Sequence, residues 1–112
     1  MIQGWDKLQK QLKSIADANY TPALEKGVRE AIFPEMQALT PIDTGELLES
    51  ERVEVENDTV SIVADSDHAI PVEFGTIHMS AQSYMRAAID TKSGEALKIT
   101  AEEAEAIIRK AI

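Results

Sequence analysis

The hydrophobic period changes at Glu51, and that change limits the folds open to this chain more than any other feature. Val53 and Val55 alternate with Arg52, Glu54 and Glu56; Val60, Ile62 and Ala64 then alternate around Ser61 and Val63. A period of two sends successive side chains to opposite faces of an extended strand. Between the two runs, Asn57-Asp58 tolerates the positive φ of a two-residue turn, so residues 51–64 read as an antiparallel hairpin. Towards both ends of the chain the period is three to four, which reads as helices around the hairpin.

On the N-terminal side, Ile2, Trp5, Leu8, Leu12 and Ile15 recur at helical steps with Lys7, Lys10, Gln11, Lys13 and Asp17 between them. This predicts a one-faced amphipathic helix from about residue 2 to 18. Thr21-Pro22 reads as an N-cap followed by a proline at the first helical position, where no amide donor is lost. A second helix follows over 22–39, with Leu24, Val28, Ile32, Met36 and Leu39 as its buried stripe and a bend at Pro34. Thr40-Pro41 repeats the cap-then-proline pattern, and Asp43-Thr44-Gly45-Glu46 offers a capping box for a short helical turn over about 44–49.

Beyond the hairpin, Asp65 to His68 reads as a polar loop. Ala69 to Phe74 fits either a third strand or a short helix, ended by Gly75, where φ is free to be positive. Tyr84, Met85, Ala88 and Ile89 form another short apolar face. Thr91 to Gly94 is the only plausible linker and is too short to separate domains; Thr100-Ala101-Glu102-Glu103 reads as a capping box that opens a last helix with Ile107, Ile108 and Ile112 on its apolar side. The expectation is an α+β fold: two N-terminal helices and a C-terminal helix packed on a small antiparallel β-sheet. With 112 residues the chain holds one core and hence a single domain, 1–112. An aromatic share of 4% means that Leu, Ile, Val, Ala and Met must build that core, and it should be modest.

The 20 acidic and 11 basic side chains leave a formal charge of −9, which repels phosphate backbones and anionic membrane surfaces. Direct nucleic-acid recognition and membrane binding are not expected. The absence of cysteine excludes a disulfide framework, a thiolate nucleophile and Cys-ligated zinc. The first residues lack the charged-then-apolar layout of a signal peptide, and no apolar run approaches the ~20 residues that span a bilayer, so synthesis in the cytoplasm is expected.

Three arrangements invite a chemical reading. Asp43-Thr44-Gly45 coincides with the catalytic triplet of aspartic proteases, where two carboxylates share a proton. Those enzymes set the triplet between apolar strands; here Thr40-Pro41 precedes it and the helical Glu46-Leu47-Leu48-Glu49 follows, so a capping turn is the better reading. Asp65, Asp67, His68 and the more distant His78 show neither helical zinc spacing nor a calcium loop, and read as solvated loop residues. Glu102, Glu103 and Glu105 suit the acidic first turn of a helix. No phosphate loop or nucleophile elbow occurs. Arg86 stands alone as a cation in an apolar stretch and is expected to pair with Glu73 or Asp43. The expectation is a chain that is not an enzyme and has no catalytic residue, no cofactor and no metal.

Thr40-Pro41-Ile42-Asp43-Thr44-Gly45, Val72-Glu73-Phe74-Gly75-Thr76 and Tyr84-Met85-Arg86-Ala87-Ala88, in that order and spacing, resemble the gene-product-ten-like head-to-tail joining (neck) and minor tail components of long-tailed phages. The motifs span residues 40–90, and the layout of elements is similar over the whole chain. His68-Ala69 stands where such proteins carry an aromatic followed by alanine. Ser80-Ala81-Gln82-Ser83-Tyr84-Met85-Arg86-Ala87-Ala88 keeps the arginine and alanine of their following segment but none of its three prolines, a departure that bears on the rigidity of the 78–84 loop.

The resemblance implies a non-enzymatic virion structural protein that self-associates into a ring at the neck and contacts phage connector and tail proteins. Asp43, Thr44, Gly45, Glu73, Phe74, Gly75, Thr76, Tyr84 and Arg86 are the family-motif positions, structural in role. The loops 75–83 and 65–68 are the expected places of intersubunit or tail contact, because loops can order on assembly. A tail-completion or minor tail subunit is the neighbouring alternative; a dimeric aspartic protease through Asp43 and an acidic adaptor unrelated to phages are remoter ones.

Overall fold

The structure is a computed structural model and describes residues 3–41, 45–77 and 80–111. It has an α+β fold in the order α1 (Gln3–Asp17), α2 (Thr21–Gly27), a π-helical turn (Val28–Ile32), α3 (Phe33–Leu39), α4 (Glu46–Ser50), β1 (Glu51–Glu56), β2 (Thr59–Ala64), α5 (Ala69–Phe74) and α6 (Tyr84–Ala111). The strands form a two-stranded antiparallel sheet with Val53 opposite Ile62 and Val55 opposite Val60. Asn57 takes φ 55° in the turn, as expected of Asn-Asp there.

From α2 to α3 the backbone is one continuous helical run that passes through the π turn just before Pro34. Proline has no amide hydrogen and its ring crowds the carbonyl four residues earlier; widening the preceding turn relieves that crowding. The wider turn also resets the buried face. Val28, Ile32, Met36 and Thr40 are buried at a constant spacing of four, which an ordinary helix would rotate by about 40° per step. Leu24 and Leu39, expected on the same stripe, are exposed instead; Ala23 and Gly27 face inward.

Two predicted caps are different in the structure. Thr21 is already helical, and Asn19 Oδ1 accepts its amide at 3.1 Å, so the cap comes from two residues earlier. Thr40 closes α3 rather than opening a helix: its hydroxyl lies 2.7 Å from the Met36 carbonyl. Gly45, at φ 79°, immediately precedes α4. The rest of the proposed box, Asp43 and Thr44, lies outside the described residues.

Ala69–Phe74 is a helix, α5, not a strand. Pro71 sits in its first turn, where its missing N–H costs nothing, whereas in a strand it would remove a ladder bond. The larger correction concerns α6. Thr91 to Gly94 is no linker, and Thr100 opens nothing; both lie inside one uninterrupted helix of 28 residues. The Thr100 hydroxyl bonds back to the Ala96 carbonyl at 2.8 Å. Packing along α2, the π turn and α3 supports α6 through a segment of weak intrinsic propensity.

The core sits where that helical run, α4, β1 and the first half of α6 meet: Val28, Ala31, Ile32, Met36, Leu47, Val53, Tyr84, Ala88 and Ala96. Aliphatic side chains dominate, with Tyr84 and Met36 the largest fully buried groups. α1 stands apart from this core. It packs lightly, against α6; of its predicted apolar stripe Trp5, Leu8 and Leu12 are exposed and Ile15 is half-buried, while Ile2 lies outside the described residues. The molecule measures 74 × 23 × 21 Å, with a radius of gyration of 19.4 Å. A compact chain of this length would have about 13 Å.

Candidate functional site

The site is assembled by Glu73, at the end of α5. Gly75 caps that helix with φ 79° and ψ 175°, a conformation open essentially to glycine, and its amide bonds to the Pro71 carbonyl at 2.8 Å. The chain then returns beside α5: the Gln82 amide bonds to the Val72 carbonyl at 2.7 Å, and the Ser83 hydroxyl donates to the Glu73 carbonyl at 3.0 Å. This return brings the start of α6 onto the Glu73 carboxylate.

Oε1 of Glu73 accepts the Met85 amide at 2.8 Å, and Oε2 accepts the Arg86 amide at 3.3 Å and Arg86 Nε at 3.1 Å. Glu73 thus supplies, from another element, the cap that α6 needs for its unsatisfied first-turn amides. Its side chain is only 7% exposed. Arg86 is held further by its second guanidinium nitrogen on Ser83 Oγ at 2.8 Å, and its guanidinium carbon stands 5.2 Å above the Phe74 ring. The pairing expected of Arg86 therefore falls on Glu73; Asp43, the other candidate partner, lies outside the described residues.

Tyr84, the first residue of α6, is buried. Burial first, then the charges of Glu51 and Glu73, push its hydroxyl pKa up to about 12. Glu51, the first residue of β1, is buried as well. Its Oε2 is 2.5 Å from Thr40 Oγ1, which is itself 2.7 Å from the Met36 carbonyl, while Oε1 has no hydrogen-bond partner among the described residues. One hydroxyl hydrogen cannot serve two acceptors. A protonated Glu51 donating to Thr40, with Thr40 donating to Met36, satisfies both contacts. Burial raises the Glu51 carboxyl above its ordinary value and the Thr40 hydroxyl only partly offsets this.

Over this frame lies an apolar depression of about 240 Å³, whose walls include Ile70, Phe74, Tyr84, Met85 and Ile89. Ile70 is 72% exposed and Phe74 63%. Both Glu73 oxygens are engaged by the backbone and Arg86, so the depression offers a partner chiefly apolar surface. Of the motif positions, Glu73, Phe74, Gly75, Tyr84 and Arg86 come together here. Thr76 is exposed just beyond, Gly45 belongs to the turn before α4, and Asp43 and Thr44 are outside the described residues. His68 Nε2 is 3.2 Å from Glu46 Oε2 on the surface. Among the described residues no group of three or more His, Asp or Glu is placed to hold a metal ion, and no helix is long and apolar enough to cross a membrane.

Charge is distributed unevenly around the site. Asp43 through Asp90 carry eleven acidic and two basic side chains, so the entire formal charge of −9 resides in that segment and the rest of the chain balances to zero. No family model, curated protein or solved structure matches the chain.

Sequence reading missed three features. The capping role of Glu73 has no local signature, because cap and helix are separated by a loop. Burial of Glu51 was concealed by its place in an alternating strand, where it takes the inward phase with Val53. The exposure of Trp5, Leu8 and Leu12 on α1 was concealed because periodicity reports that a helix has an apolar face, without saying what covers it.

Proposed function

We propose that this chain is a phage or prophage head-to-tail joining (neck) component: a non-enzymatic virion structural protein, made in the bacterial host cytoplasm, that acts in virion assembly. It forms a ring with copies of itself and contacts connector and tail proteins. The observation that carries this reading is the ordered set of three family-like motifs, two of which, distant by a loop, are joined through Glu73 and Arg86 into one unit. That unit frames an exposed apolar depression suited to protein contact.

A closed ring needs two different surfaces on each subunit that meet under rotation. The concentration of negative charge in residues 43–90 suits a subunit beside a DNA channel, since an acidic wall does not retain passing phosphates. Glu73 and Arg86, the charged side chains at the depression, are engaged with each other, with Ser83 and with backbone amides, which favours a contact role over hydrolysis.

Tagged protein in purified particles of the encoding phage tests the reading. Immunogold label at the head–tail junction is expected; label confined to the distal tail would favour a minor tail subunit, and its absence from particles would refute a virion role.

A further inference from the structure

The last turn of α3 is closed by a side chain. The Thr40 amide bonds to the Gln37 carbonyl at 3.4 Å and not to Met36; among the described residues the Thr40 hydroxyl, 2.7 Å away, takes its place on the Met36 carbonyl. Met36 is 0% exposed, so solvent cannot replace that bond. The same hydroxyl lies 2.5 Å from Oε2 of Glu51, the first residue of β1. Both distances are those of hydrogen bonds, both acceptors are buried, and Thr40 has one hydrogen to give.

The proton on Glu51 decides which acceptor receives it. A neutral Glu51 donates to Thr40 Oγ1 and leaves the Thr40 hydrogen for Met36, which joins all three groups. An ionised Glu51 has no hydrogen to give, and as a charged acceptor it outcompetes a neutral carbonyl. The Thr40 hydrogen then turns to β1, and the buried Met36 carbonyl loses its bond.

We propose that Thr40 and Glu51 form a proton-operated clasp between α3 and β1: with Glu51 neutral the Thr40 hydroxyl holds the last turn of α3, and with Glu51 ionised it lets go of that turn and holds β1. Thr40 stands where the chain leaves α3 for the segment that leads to α4, so the clasp acts on that exit. The surrounding groups leave the decision to Glu51. Tyr84 of α6 feels its charge, but with a hydroxyl pushed up to about 12 it stays neutral while Glu51 titrates. Glu73 of α5, whose charge also reaches Tyr84, is bonded to Arg86 and to two amides of α6. On β1, Arg52 is exposed and paired with Glu54 and Asp65, and the cross-strand residue on β2 is Ala64. Glu46 and Glu49 of α4 are exposed, and Arg29 of the π turn is bonded to Glu25 and the Val53 carbonyl. Burial raises the Glu51 carboxyl, so the changeover comes above the ordinary carboxylate value as pH rises.

Heteronuclear NMR of the isotope-labelled whole chain, followed through a pH titration, tests the clasp. The Glu51 carboxyl carbon reports its proton, and the Met36 carbonyl carbon reports the bond from Thr40. The two should move with one midpoint, and above it the amides of the last turn of α3 should exchange with deuterium several-fold faster. In Glu51→Gln the side-chain amide can donate to Thr40 at every pH, so the Met36 carbonyl should stay at its acid position. Thr40→Val removes the hydroxyl that favours the ionised form, so the Glu51 midpoint should rise and Met36 should cease to follow it; Thr40→Ser should restore both. A wild-type Met36 carbonyl that ignores the Glu51 titration, one that still titrates in Glu51→Gln, or a Glu51 midpoint unmoved in Thr40→Val would each overturn the proposal. Should a variant fail to fold, the wild-type titration alone decides.

Discussion

At the residue scale, Glu73 and Arg86 form one pair but do unequal work. Arg86 is largely exposed, and an exposed ion pair contributes about 0–1 kcal/mol. Glu73 is buried and also accepts two first-turn amides of α6, so removing it strands donors as well as a charge. Glu73→Ala is therefore expected to destabilise the fold by about 2–3 kcal/mol and Arg86→Ala by less than about 1 kcal/mol, read by urea unfolding. Equal losses would contradict the capping role. Glu51 makes a separate prediction in pH. Its folded pKa is raised above the unfolded value, so between the two the folded state binds more protons and stability falls as pH rises through that window. Glu51→Gln removes the titrating group while keeping a donor for Thr40. The variant should be more stable than wild type at neutral pH, with the gap shrinking as pH falls through the raised folded pKa toward the ordinary carboxylate value and levelling off below it. A pH-independent gap would show that Glu51 does not titrate across it.

At the element scale, two glycines in helices call for opposite outcomes. A Cβ on Gly27 would lie 2.4 Å from Thr100 Oγ1 and 2.5 Å from the Ala96 carbonyl oxygen, so Gly27→Ala must push α2 off α6. Overpacking of about 1–3 kcal/mol outweighs the helix propensity gained, and the melting temperature should fall. Gly94 has nothing within 4 Å of an added Cβ and sits inside α6, so Gly94→Ala should stabilise by about 0.5–1 kcal/mol. These two residues also mark what could be read in the sequence. Local patterns were sufficient for α1, the hairpin with its Asn57 turn, the short helix after Gly45 and the disturbance at Pro34, because each is decided within a few residues. Gly94 and Thr100 were misread as linker and cap because the packing that carries α6 across them comes from residues 21–39. The Arg86–Glu73 pair was open to a charge argument, since few partners were on offer for a lone cation. The capping of α6 by Glu73 and the close approach at Gly27 arise only once distant segments meet.

At the scale of the whole molecule, the chain is elongated, exposes Trp5, Leu8 and Leu12 on α1 and an apolar depression beside α5, and carries all its net charge in one segment. The depression and its frame account for five of the nine positions singled out in the sequence, and the remaining ones belong to the turns before α4 and after α5 or lie outside the described residues. On the function proposed above, the chain would be dispensable for filling heads and for building tails, and indispensable for uniting them. Deleting the gene in its phage or inducible prophage and imaging the lysate by negative-stain electron microscopy tests that claim most directly. DNA-filled heads lying apart from complete tails, restored to whole particles when the wild-type chain is supplied in trans, are the expected result. Normal infectious particles in the deletion lysate would contradict it.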